Sequence, residues 1–136
     1  EDNASILLNF KSGVIATMNI SDSIVSPWSW EMNSNENSDF PQTGQNCYFI
    51  GGSKGSLSIP DLKIWKHENK PDWLTQFKTE KHDFKNNQPL ETQLQHFAKV
   101  IQKIEEPRVS AEEGYKSLQA IEAIKASSEQ KKIIVL

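Results

Sequence analysis

The apolar residues of this chain change their spacing once, near Pro89, and that change constrains the fold more than any other feature. Before it they alternate with polar residues, the period of a strand; after it they recur every three or four positions, the period of a helix. Strands collected first and helices last define an α+β chain rather than interleaved strand–helix units. Ala4, Ile6, Leu8 and Phe10 alternate with Ser5, Leu7, Asn9 and Lys11, and Val14, Ala16, Met18 and Ile20 resume the pattern against Ile15, Thr17, Asn19 and Ser21. Lys11-Ser12-Gly13 between them supplies a turn with a residue free to take positive φ. The pattern predicts a hairpin with one apolar and one mixed face. Further strands are expected at Cys47–Ile50, around Leu57–Ile59, around Leu62–Trp65 and near Gln76–His82, with Gly51–Gly55 as a turn.

Leu90, Leu94, Phe97, Ile101 and Ile104 form one helical stripe. Buried, five such side chains would give on the order of 7–15 kcal/mol of gross hydrophobic stabilisation before chain entropy. Glu105-Glu106-Pro107 is expected to end this helix, because proline cannot continue the ladder. Ser110-Ala111-Glu112-Glu113 reads as a capping box opening a second helix with a Tyr115, Leu118, Ile121, Ile124 stripe. Ile133–Leu136 reads as a last strand. The expectation is a single α+β domain over residues 1–136, built on a mostly antiparallel, open-faced sheet, with helices near 90–104 and 110–129 packed on one face.

Isoleucine, leucine, valine and phenylalanine make up 33 of the 136 residues, enough to predict a packed core. Fifteen basic against 18 acidic residues, a net charge of −3, exclude a general nucleic-acid binder. The longest apolar run, Ile133–Leu136, is far below the roughly 20 residues that span a bilayer, and no secretory signal opens the chain. A cytoplasmic location without a membrane partner is expected. Cys47 has no second cysteine to pair with, and no neighbouring histidine marks it as a nucleophile. Gly51-Gly52-Ser53-Lys54-Gly55 lacks the spacing of a phosphate loop and precedes a strand. His67, His82 and His96 are too dispersed to predict a metal site. No Gly-x-Gly-x-x-Gly occurs, so no dinucleotide site is expected within these residues.

Residues 24–46 are polar and long for a connection inside a compact domain, and such connections are functional or disordered. Trp28 and Trp30 each need a surface to cover. With Glu36 and Asn37 they supply flat apolar rings and hydrogen-bonding groups suited to a sugar. The four are the candidate substrate-binding residues. The alternative is that the tryptophans pin a long loop to a sheet edge. Part of 33–46 is expected to be poorly ordered.

Several segments carry a resemblance. Ala4-Ser5-Ile6-Leu7-Leu8-Asn9-Phe10-Lys11-Ser12-Gly13-Val14 resembles a hairpin in the C-terminal domain of the Gfo/Idh/MocA family of oxidoreductases. Ile50-Gly51-Gly52-Ser53-Lys54-Gly55-Ser56-Leu57 is similar to that family's glycine-rich turn, and Leu94-Gln95-His96-Phe97, Glu106-Pro107, Ser110–Gly114 and Ile121–Ser128 to its closing helices. Ser26-Pro27-Trp28-Ser29-Trp30-Glu31 with Glu36-Asn37 resembles a loop carried by one branch. The resemblance implies a C-terminal α+β domain whose parent enzyme holds NAD(P) in an N-terminal Rossmann domain, with a catalytic lysine in a Glu-Lys-Pro motif there. The usual aspartate and histidine lie near the start of the second domain. No Glu-Lys-Pro occurs here and no histidine precedes His67, so no catalytic role is carried over to any residue. The implied function is the C-terminal part of an NAD(P)-dependent oxidoreductase of a sugar or polyol, supplying a substrate-side loop and a homo-oligomer interface and inactive alone. A free-standing binding or scaffolding module is the alternative.

Overall fold

The computed structural model describes residues 2–85 and 87–136. In chain order it contains β1 (Asn3–Asn9), β2 (Ile15–Ser21), β3 (Tyr48–Gly52), β4 (Gly55–Ile59), β5 (Lys63–Lys66), β6 (Lys78–Lys81), α1 (Pro89–Ile101) and α2 (Ala111–Gln130). The α+β class, the antiparallel pairing and the two C-terminal helices agree with the sequence. The strands make two sheets rather than one, a β1-β2 hairpin and a four-stranded β3-β4-β5-β6 meander. Its contacts divide the chain into two compact units, residues 1–24 with 95–136, and residues 25–94.

In the first unit, the hairpin register pairs Ala4 with Ile20, Ile6 with Met18 and Leu8 with Ala16 on one face. Ser5–Asn19, Leu7–Thr17 and Asn9–Ile15 share the other, where Ser5 Oγ donates to Asn19 Oδ1 at 2.9 Å. Gly13 takes a φ of 88°, the left-handed turn conformation that the alternation required. The capping box forms: Glu113 N–H donates to Ser110 Oγ at 3.2 Å, and Ser110 N–H to the Glu113 carboxylate at 2.9 Å.

α1 ends three residues before the expected Ile104. The cause is a Schellman closure, in which Lys103 N–H donates to Val100 O and Ile104 N–H to Lys99 O, with Lys103 at φ 60°. The expected strand at 133–136 is absent; Lys131, left-handed at φ 55°, closes α2, and Ile133 and Val135 remain exposed.

In the second unit, the register places Tyr48, Ile50, Leu57, Ile59 and Ile64 on one face of the meander and Phe49, Ser58, Lys63 and Trp65 on the other. Lys63 Nζ lies 5.0 Å from the Trp65 ring centroid. A Cβ on Gly55 would stand 2.8 Å from the Trp65 carbonyl oxygen, so the close approach of β4 and β5 requires glycine there. Ser58 is fully buried and donates to Asp61 in the β4–β5 turn.

Among the described residues no hydrophobic side chain is fully buried, against the packed core expected from composition. Ile6 and Leu8 of β1, Leu57 of β4 and Ile64 of β5 are among those that are half-buried. Each unit holds only about half the chain, and units that small bury a reduced share of their surface. The α1 stripe is correspondingly open, with Leu94 68% and Phe97 61% exposed.

Candidate functional site

The segment from 24 to 46 is cross-braced rather than loose. Its hub is Asn33, whose Nδ2 donates to Pro27 O (2.7 Å) and Ser29 O (2.8 Å), while its Oδ1 accepts from Gln45 N–H (2.7 Å). Asn33 N–H and Ser34 N–H both donate to Trp30 O, and Thr43 N–H donates to Met32 O. Ser34 is 3% exposed, the second of the two buried polar residues among those described. Serine, asparagine and threonine serve here because their short polar groups satisfy backbone amides and carbonyls that no ladder reaches.

The four candidates separate on this scaffold. Trp30 Nε1–H donates to Glu36 Oε2 at 2.8 Å, and its ring meets Tyr48 of β3 with centroids 5.9 Å apart, tilted by 52°. Trp30 and Glu36 therefore satisfy one another and anchor the loop to the meander. Trp28 is 58% exposed, and its backbone N–H donates to Ser26 Oγ at 3.2 Å. Asn37 is exposed and its Oδ1 accepts from Asp39 N–H at 3.0 Å, a local turn. Asn33 was not singled out by sequence; nothing in a stretch containing Asn33, Asn35 and Asn37 marks which amide becomes the hub.

The remaining polar groups lie apart along the chain. Burial pushes the Cys47 thiol up, and the Glu31 carboxylate adds to the rise, the opposite of nucleophile activation. The His67 and Phe77 rings meet at a tilt of 46° with centroids 4.7 Å apart, in a cleft of about 500 Å³ that also includes Asp72 and the Lys78–Glu68 ion pair. The Asp72 carboxyl is held below the ordinary range, chiefly by the Thr75 hydroxyl and then by the Leu74 and Thr75 amides. His96 sits in the first unit, with Nδ1 2.9 Å from Glu105 and Nε2 accepting from Arg108 N–H at 3.2 Å, which fixes the Nδ1–H tautomer. Among the described residues no three histidine, cysteine or acidic side chains converge as metal ligands. The residues from Gly51 to Gly55 close the β3–β4 hairpin, with Gly55 filled against the Trp65 backbone and no helix start behind it. They do not fit a dinucleotide phosphate, which needs open backbone amides at a helix N-terminus.

What the fold defines is an α+β arrangement of two antiparallel sheets and two helices. The family model described as "Oxidoreductase family, C-terminal alpha/beta domain" matches residues 1–136, and the chain belongs to this Gfo/Idh/MocA C-terminal domain family. Comparison with curated proteins finds no match. Comparison with solved structures finds none either. No helix among the described residues is long and apolar enough to cross a membrane.

Proposed function

We propose that residues 1–136 act as one domain, the substrate and assembly side of a cytoplasmic NAD(P)-dependent oxidoreductase whose N-terminal Rossmann domain holds the cofactor and the catalytic lysine. The substrate is a neutral sugar or polyol, and the domain alone turns nothing over. The observation that supports this reading is the half-exposed Trp28 ring on a loop otherwise closed by hydrogen bonds. A flat apolar ring covers the C–H face of a sugar, and the exposed Asn37 amide of the same loop offers a donor and an acceptor to hydroxyls. Trp30 and Glu36 serve the site by holding the loop.

Homo-oligomer formation is assigned to the mixed hairpin face that carries Leu7, Ile15 and Thr17, where Leu7 and Ile15 are 61% and 66% exposed. A biological pairing there should bury at least about 1,000 Å².

In the full-length enzyme, Trp28→Ala should raise KM for sugar without changing cofactor affinity. Normal KM in a folded Trp28→Ala variant rejects the substrate role. Sedimentation at micromolar concentration should show an oligomer that Ile15→Lys dissociates; a monomer in both cases rejects the interface.

A further inference from the structure

The backbone on both sides of Trp28 is gripped by a single side chain. Asn33 Nδ2 donates to the carbonyl before Trp28, that of Pro27, and to the carbonyl after it, that of Ser29, at 2.7 and 2.8 Å. On its other side, Asn33 Oδ1 accepts from Gln45 N–H and lies 2.7 Å from Thr43 Oγ1, whose single proton is shared between this oxygen and Pro27 O. A primary amide has two donor hydrogens and one oxygen with two lone pairs, so the capacity of Asn33 is filled. Its orientation is settled as well, since two carbonyls demand the NH2 group and a backbone N–H demands the oxygen. The clamp ties residues 27–29 to residues 43–45, and Trp28, 58% exposed, lies between the two gripped carbonyls.

We propose that Asn33 is the positioning residue of the substrate loop: its amide fixes the backbone of Trp28 so that the ring is presented ready-oriented to the C–H face of a neutral sugar or cyclic polyol. This rests on the substrate reading of the loop. Holding the ring in place before binding removes an ordering cost that the ligand would otherwise bear. No other side chain substitutes. Aspartate sets a carboxylate oxygen against two carbonyls, glutamine displaces the amide by a methylene, and alanine frees both strands of the loop.

The test uses the full-length enzyme carrying 6-fluorotryptophan, with the Trp28 signal identified by its loss in Trp28→Phe. In Asn33→Ala the Trp28 resonance should broaden or split while those of Trp65 and Trp73 stay. D-glucose and myo-inositol serve as probes. The one that shifts the Trp28 signal should show an apparent Kd raised about two- to tenfold in Asn33→Ala, the weight of one newly mobile side chain. KM should rise alike at unchanged kcat, and in a Trp28→Ala background Asn33→Ala should raise it no further. Thr43→Val, which opens the same clamp from its other side, should act in the same direction and serves if Asn33→Ala does not fold. An unchanged Trp28 line in the clamp variants overturns the proposal, as does a KM effect of Asn33→Ala that persists without Trp28. A Trp28 signal insensitive to both probes, with KM unchanged in Trp28→Ala, instead rejects the substrate reading itself, whatever the line shape in Asn33→Ala.

Discussion

Removing the Glu36 carboxylate should cost stability first. Its Oε2 accepts from the Trp30 indole at 2.8 Å in a half-buried setting, a charge-assisted bond. Hydrogen bonds to charged groups contribute about 1.5–3 kcal/mol, and partial exposure of Glu36 places this one near the lower end, about 1.5 kcal/mol. Glu36→Gln keeps an amide oxygen as acceptor and should cost about half as much. Trp30→Phe keeps the ring against Tyr48 and loses the donor, about 1 kcal/mol. The pair is coupled, so Glu36→Ala should add little in a Trp30→Phe background, a shortfall of about 1 kcal/mol from additivity. Urea unfolding followed by circular dichroism reads all four variants, with the slope checked for constancy. A Glu36→Ala variant as stable as the parent, with a raised KM in the full-length enzyme, would refute this reasoning and put Glu36 in contact with substrate.

Asp61 gives a pH dependence. Burial raises its pKa, but hydrogen bonds from Ser58, Asn46 and the Lys63 amide outweigh burial and leave it below the ordinary value of about 4. Its contribution is therefore present above about pH 4 and lost as pH falls through the lowered value, and Asp61→Asn should flatten that loss in acid melts; identical acid slopes would contradict it. Ser110→Ala should cost about 1 kcal/mol in urea melts, since the Glu113 amide loses its acceptor, and no cost would deny the cap its role. Gly55→Ala, with a Cβ 2.8 Å from a backbone oxygen, should destabilise by about 1–3 kcal/mol, whereas Gly114→Ala in α2, with nothing within 4 Å, should be neutral or stabilising. Equal effects at the two glycines would show that β4 and β5 can separate without cost.

Local signals carried most of the legible fold. The β1–β2 hairpin needed only a period of two and a glycine able to reach φ 88°, and the second helix needed only serine and glutamate three apart. The end of α1 was hidden because its left-handed residue is Lys103, not the glycine or asparagine that usually marks such a closure. The division into two sheets was hidden because alternation specifies a strand's faces but not its neighbour. In the loop, the tryptophans stood out by size against their polar surroundings. Which of the two would be turned inward depended on the Glu36 carboxylate and the Tyr48 ring, contacts six and 18 residues distant from Trp30.

The stripe on α1 puts burial itself to the test. Its spacing is that of a buried face, yet Leu90, Leu94, Phe97 and Ile101 are 75%, 68%, 61% and 65% exposed. Truncating a fully buried phenylalanine costs about 3–5 kcal/mol, because transfer energy is lost and a cavity remains. A ring with more than half its surface in water has little transfer energy to lose and leaves no cavity. Phe97→Ala in the 136-residue chain should therefore cost under about 1 kcal/mol at low micromolar concentration. If it costs 3 kcal/mol or more, the stripe is covered in solution. The concentration dependence of the melt then identifies the cover: a midpoint that rises with concentration means a second copy, and a fixed midpoint means the chain closes on itself.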